Sequence, residues 1–130
     1  MDTRPLSPRL LIIDDEPIVG KRLQQAFSKL GLDVEIFTSP LPAMEAMAQK
    51  PFDIVVTDLK MADMDGIEVL RRSRQLNSRA RVIIITGYAS QDTADAAIKE
   101  GVFDFLAKPF RLEELKSAVN RAQEELAGGT

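Results

Sequence analysis

Five short apolar runs, each ended by a polar or charged residue and followed by a longer amphipathic stretch, constrain this chain most. The first run is Leu10-Leu11-Ile12-Ile13, ended by Asp14-Asp15-Glu16-Pro17. Continuous apolar residues of this length fit a strand covered on both faces, as in a parallel sheet. Val19, Leu23, Ala26, Phe27 and Leu30 then recur at helical spacing. Asp15 or Glu16 can cap that helix, Pro17 suits its first turn and Gly31 can end it. The second strand, 33–37, alternates and so suits a sheet edge. Ser39 and Pro40 open a second helix lined by Ala43, Met44, Met47 and Ala48.

The third strand is 54–57, ended by Asp58. An irregular loop to Asp65 precedes Gly66 and a helix carrying Ile67, Val69 and Leu70. The fourth strand, 82–85, ends at Thr86. A helix over about 91–100 stops at Gly101. Its apolar stripe is thin: Ala94, Ala97 and Ile98. The fifth strand, 103–106, ends at Lys108-Pro109, and a last helix carries Leu112, Leu115, Val119, Ala122 and Leu126. Repeated strand-then-helix order predicts an α/β fold. With right-handed crossovers it becomes a doubly wound, five-stranded parallel sheet with helices on both faces. The expected strand order is the flavodoxin-like 2-1-3-4-5. One domain over 1–130 is expected, with a core of about 9–126 and loose ends.

Ligands of open parallel sheets bind outside the carboxyl ends of the strands. There the sequence puts Asp14, Asp15 and Glu16 after the first strand, Asp58 after the third, Thr86 after the fourth and Lys108 after the fifth. Each has a plain alternative: capping for the first acids, a turn for Asp58, a strand-end hydroxyl for Thr86, a solvated amine for Lys108. Capping needs one acid, however, and three occur in succession. Converging carboxylates repel and need a cation or a fixed amine to coexist at neutral pH.

Composition narrows the chemistry. The chain has no cysteine and no histidine, which removes thiol catalysis, Ser-His-Asp triads and sulfur- or imidazole-held metals. Oxygen ligands suit a hard cation such as magnesium, which also binds phosphoryl oxygens. A lysine and a threonine hydroxyl could hold the remaining oxygens. The rim therefore reads as a site for a phosphoryl group on or near a carboxylate. No GxxxxGK[ST] or GxGxxG motif is present, which argues against P-loop and dinucleotide chemistry.

The segments LLIIDDEP, VVTDLKMADMDGIEVL, VIIITGYAS and DFLAKPF resemble, in order and spacing, the CheY-like receiver domain of bacterial two-component response regulators. The likeness runs over about 9–126. The segment around Asp58 and TGYAS most resembles receivers attached to enhancer-binding transcription activators. The resemblance implies that Asp58 is the phosphoacceptor and that Asp15 and Asp58 ligate magnesium directly, with manganese able to substitute. It implies that Asp14 holds a metal-bound water and that the Lys60 backbone carbonyl is a further ligand. Lys108 would pair with a phosphoryl oxygen and Thr86 would close on another. Pro109 would follow a cis peptide bond, and Gly66 would end the acceptor loop. Ala62 stands where the family commonly has proline. Phe105 stands at the aromatic switch position, often tyrosine, and is equally well read as a core aromatic. Lys60 and Tyr88, each two residues past a site residue, should border the path of hydrolytic water.

The expected function is a phosphorylation-dependent switch, not an enzyme, loaded by a sensor histidine kinase or histidine phosphotransfer protein. The face formed by the fourth helix, fifth strand and fifth helix is expected to control an effector or fused output domain, or to form a homodimer. Two alternatives stand beside it. One is a magnesium-dependent phosphohydrolase with an aspartate nucleophile, disfavoured by Lys60 where such enzymes often carry an acid. The other is an unphosphorylated pseudo-receiver, disfavoured by the intact set Asp14, Asp15, Asp58, Thr86 and Lys108. Within 130 residues no output domain fits beside the receiver, so the effect should pass through a partner surface. Arg71, Arg72, Arg74, Arg79 and Arg81 form a basic run, read as a solvated helix end and not as a nucleic-acid site. No apolar run approaches a membrane span and no signal core is present, so a cytoplasmic protein is expected.

Overall fold

The computed structural model describes residues 8–128, and the expected loose ends lie largely outside that range. Five strands form one parallel sheet in the order β2-β1-β3-β4-β5. They are β1 (Arg9–Ile13), β2 (Asp33–Phe37), β3 (Ile54–Asp58), β4 (Arg81–Thr86) and β5 (Asp104–Ala107). The helices are α1 (Pro17–Ser28), α2 (Pro40–Gln49), α3 (Gly66–Leu76), α4 (Gln91–Lys99) and α5 (Leu112–Ala127). This is the flavodoxin-like order that the alternation implies, with β1, β3 and β4 inside.

The continuous apolar runs are explained by two cores. Leu10, Ile12, Ile54, Val56, Ile83 and Ile85 face α1 and α5, meeting Leu23, Phe27, Leu115, Ala118, Val119 and Ala122. Leu11, Ile13, Val55, Val82 and Ile84 face α2, α3 and α4, meeting Ala43, Met44, Met47, Val69, Leu70 and Ala97. Side chains alternate across a strand, so a strand covered twice is apolar on both faces; buried Thr57 in β3 is the exception, its hydroxyl donating to the Asp58 carbonyl at 2.9 Å.

Several local expectations change. Glu16 occupies the N-cap of α1 without a side-chain cap bond. Asp14 instead closes the turn before the helix, its Oδ1 accepting the Glu16 N–H at 2.8 Å. Ser39 likewise sits at the α2 N-cap without capping through its side chain. The fifth strand starts at Asp104 and includes Ala107, one residue later than the apolar run suggests. On α4 only Ala97 is fully buried, while Ile98 is 67% exposed and turned away from the core. A buried alanine contributes far less than the ~1.5–3 kcal/mol of a buried leucine or isoleucine. The ends of α4 are held by polar contacts. Ser90 and Thr93 form a capping box at its start. At its end Arg71 Nη2 pairs with Glu100 at 3.1 Å, and Arg74 donates to the Gly101 carbonyl at 2.9 Å.

Candidate functional site

The strand ends bring Asp14, Asp58, Thr86 and Lys108 to one rim. Strand β3 carries Asp58 as its last residue, directly opposite Ile85 of β4. Asp58 is 7% exposed. Its Oδ2 accepts a hydrogen bond from Lys108 Nζ at 2.9 Å, across 50 positions of sequence. Its Oδ1 accepts the Lys60 N–H at 3.3 Å. Lys108 also lies 3.6 Å from Asp14 Oδ2 and 3.9 Å from Glu16 Oε1. Its backbone is fixed as well. The Lys108 N–H donates to the Thr86 carbonyl at 2.7 Å, and the Lys108–Pro109 bond is cis.

The electrostatics follow from burial. Burial is the largest influence on Asp14 and pushes its carboxyl above the ordinary range, against the Glu16 N–H and the Lys108 charge. Burial also works against the Lys108 ammonium. The hydrogen bond to Asp58 and the charges of Asp14, Asp58 and Glu16 outweigh it, and its pKa lies above the ordinary lysine value. Asp14 Oδ2 is buried without a hydrogen-bond donor among the described residues. The Lys108 ammonium at 3.6 Å gives it an ion pair but no hydrogen bond.

That orphaned oxygen points to a cation. Carboxylate oxygens of Asp14, Asp15 and Glu16 lie within 4.8 Å of one another. An all-oxygen set of this kind fits magnesium or another hard divalent ion. Glu16 therefore joins the acidic cluster, although only Asp14, Asp15, Asp58 and the Lys60 carbonyl were expected to ligate. Asp58 is not part of that cluster, and its Oδ2 faces Lys108.

The remaining expected residues surround this rim. Thr86 is fully buried and its Oγ1 accepts the Tyr88 N–H at 2.9 Å. Tyr88 is 69% exposed, and Lys60 is exposed. Phe105 is half-buried against the α2–α4 core. The acceptor loop turns tightly at Ala62–Met64. The Met64 N–H donates to the Ala62 carbonyl at 2.8 Å, and Asp63 has φ 73°. Aspartate tolerates this left-handed conformation better than most residues. Asp65 caps α3, accepting the Glu68 N–H at 2.9 Å, a role the S/T/D/N-x-x-E pattern Asp65–Glu68 could have revealed. Gly66 is the position sequence reasoning undervalued. Its N–H donates to the Leu59 carbonyl at 2.8 Å, and a Cβ there would stand 2.6 Å from the Asp58 carbonyl oxygen. No spacing rule signals such a close approach.

A doubly wound parallel sheet with buried acids and a fixed lysine at its carboxyl rim is a flavodoxin-like fold with a polar site where such sheets bind ligands. Comparison with known proteins agrees. The family described as "Response regulator receiver domain" matches residues 10–120, and the chain belongs to it. The regulatory protein AtoC of Escherichia coli is 39% identical over 114 residues, 88% of this chain and 25% of that protein. The chain thus spans about a quarter of the length of such full-length regulators.

Solved structures add the state of the site in relatives. A Burkholderia pseudomallei response regulator with a phosphorylated aspartic acid, a calcium ion and citrate superposes with TM-score 0.81. It is 27% identical, covering 95% of this chain and 74% of that one. The beryllofluoride-activated NtrC4 receiver domain dimer superposes with TM-score 0.84 at 32% identity, covering 90% and 97%. This chain is therefore a receiver domain of two-component signalling, with the acidic cluster at which receivers take divalent ions. No helix among the described residues is long and apolar enough to cross a membrane.

Proposed function

We propose that the domain is a phosphorylation-dependent switch in which Asp58 accepts a phosphoryl group from a histidine of a sensor kinase or phosphotransfer protein. A carboxylate oxygen of Asp58 attacks phosphorus. The P–N bond to the donor imidazole breaks, and its electron pair returns to the imidazole nitrogen. The observation that carries this reading is the buried Asp58 carboxylate held 2.9 Å from Lys108, beside the unsatisfied Asp14 oxygen. Lys108 can follow the charge from the carboxylate to the incoming phosphoryl oxygens. Asp14, Asp15, Asp58 and the Lys60 carbonyl would hold magnesium, or manganese in its place. When bound, the ion supplies positive charge against those oxygens.

The output side rests on contacts that exist only after transfer. The Thr86 hydroxyl accepts one hydrogen bond and keeps its proton to donate. A phosphoryl oxygen on Asp58 gives that proton a new acceptor, which biases a two-state element. Phe105 would be the aromatic that moves with Thr86. The α4–β5–α5 face is the element biased, since α4 buries so little apolar surface. That face would then meet an effector, an output domain or a second copy. The receiver itself would leave nucleic acid to its output partner and would act in the cytoplasm.

Intact mass after incubation with magnesium and acetyl phosphate tests the reading. One stable added phosphoryl group is expected, absent in Asp58→Asn and accompanied by changed amide exchange on α4 and β5. Rapid turnover of phosphate esters would instead indicate a phosphohydrolase. Absence of uptake, even from a cognate kinase, would indicate a pseudo-receiver. Lys60 and Tyr88 flank the water path in this reading. Truncating either to alanine should speed phosphoryl loss, measured as decay of the added mass. An unchanged decay rate in both variants would remove them from that role.

A further inference from the structure

The basic run splits in the structure. Arg71 and Arg72 pair with Glu68, and Arg71 also with Glu100. Arg74, Arg79 and Arg81 instead converge with Arg121 on an open cavity of about 940 Å³. It lies at the opposite end of the sheet from the carboxylate rim. Arg81 begins the six-residue strand that Thr86 ends, so the two sites stand roughly 17 Å apart along β4.

The four guanidinium groups are not equally engaged. Arg81 pairs with Glu125 at 3.2 Å and Arg121 with Asp104 at 2.6 Å. Arg74 and Arg79 make only carbonyl contacts, to Gly101 at 2.9 Å and to Leu126 at 3.1 Å. Neither pairs with a carboxylate among the described residues. Each contact uses one N–H of a five-donor fork, so two charged forks remain open toward the cavity. Half-buried Val102 and Phe103 add apolar wall. Glu124 also lines the cavity and opposes an anion, its carboxylate accepting from Asn120 at 3.1 Å.

We propose that this cavity binds a small molecule bearing a diphosphate group, free or within a nucleoside diphosphate. A guanidinium fork matches a phosphoryl group bidentately. Two open forks lining one cavity match two linked phosphoryl groups better than one, and Val102 with the edge of Phe103, whose ring face carries the Arg121 guanidinium at 5.8 Å, gives a base an apolar contact. The two sources share the diphosphate and differ in that contact.

Backbone amide NMR in EDTA, with pyrophosphate, ADP and GDP added in turn, tests this. Saturable shifts are expected at Ser78, Gly101, Val102 and Phe103, with the amides around Asp58 and Thr86 unmoved. Tighter binding of ADP or GDP than of pyrophosphate identifies a nucleotide. Equal binding identifies the bare diphosphate. Arg79→Ala should weaken binding about tenfold, as loss of a charged hydrogen-bond partner does. Glu124→Gln should tighten it, and Arg72→Ala, outside the cavity, should leave it unchanged. Arg74 also secures the end of α4, so Arg79→Ala is the decisive variant. Non-saturating shifts, shifts reproduced by sodium chloride at equal ionic strength, stronger shifts from a DNA duplex, or unaltered binding in Arg79→Ala would each overturn the proposal.

Discussion

Gly66→Ala is expected to destabilise the domain by about 1–3 kcal/mol and to slow phosphoryl uptake at Asp58 by about 10²-fold. The added Cβ would stand 2.6 Å from the Asp58 carbonyl oxygen and 2.9 Å from Leu59 Cα. Both are backbone atoms, so no side-chain rotation relieves the contact. Either α3 must retreat or the end of β3 must shift, and the second moves the acceptor relative to Lys108. Misplacement of a reacting group by about 1 Å is enough for a loss of this size. Denaturant unfolding and the initial rate of mass gain from acetyl phosphate measure the two effects. Gly20→Ala is the control. Its Cβ would meet Ile36 side-chain atoms at 3.8 Å, an ordinary contact, within helix α1. A gain of about 0.5–1 kcal/mol is expected there. Wild-type stability and uptake in Gly66→Ala would show that the close approach does not position Asp58.

Asp14→Asn should act in the opposite direction, raising the stability of the metal-free domain by about 1–3 kcal/mol at neutral pH. The native carboxylate is 1% exposed with Oδ2 lacking a donor, and asparagine removes the charge while keeping the shape. The Asp14 pKa is raised in the fold, so the folded state holds its proton more tightly than the unfolded chain. Stability from this group is therefore greatest below the ordinary carboxylate pKa. It is lost as pH rises from there through the raised folded value. The advantage of the variant should be near zero in acid and complete at neutral pH. Magnesium should raise the midpoint of thermal unfolding of the wild type, by selective binding to the folded state, and leave Asp14→Asn nearly unmoved. Equal midpoints for the two proteins in EDTA at neutral pH would show that the buried oxygen costs nothing.

The sequence alone carried the architecture far because its signals there are strong and local. A strand covered on both faces is apolar almost throughout, so 10–13, 54–57 and 82–85 identify themselves, Thr57 being the one polar residue among them. The charge or hydroxyl that ends each run breaks the apolar pattern, and so Asp14, Asp58 and Thr86 mark the strand ends in the sequence. The alternation of elements then leads to a parallel sheet, and the sheet carries those ends to one rim.

Tertiary structure decided how the side chains pair. Lys108 reaches Asp58 across 50 positions, and Glu16 joins Asp14 and Asp15 while Asp58 turns to the lysine. Arg71 bridges to Glu100, while Arg74 and Arg79 leave that face for a cavity at the other end of the sheet. Ile98 turns outward although its spacing fits a core stripe. Apolar burial sums over whole strands and is written in runs of residues. These pairings depend on the rotation of a helix or the path of a loop, settled by one or two contacts between segments far apart in the chain.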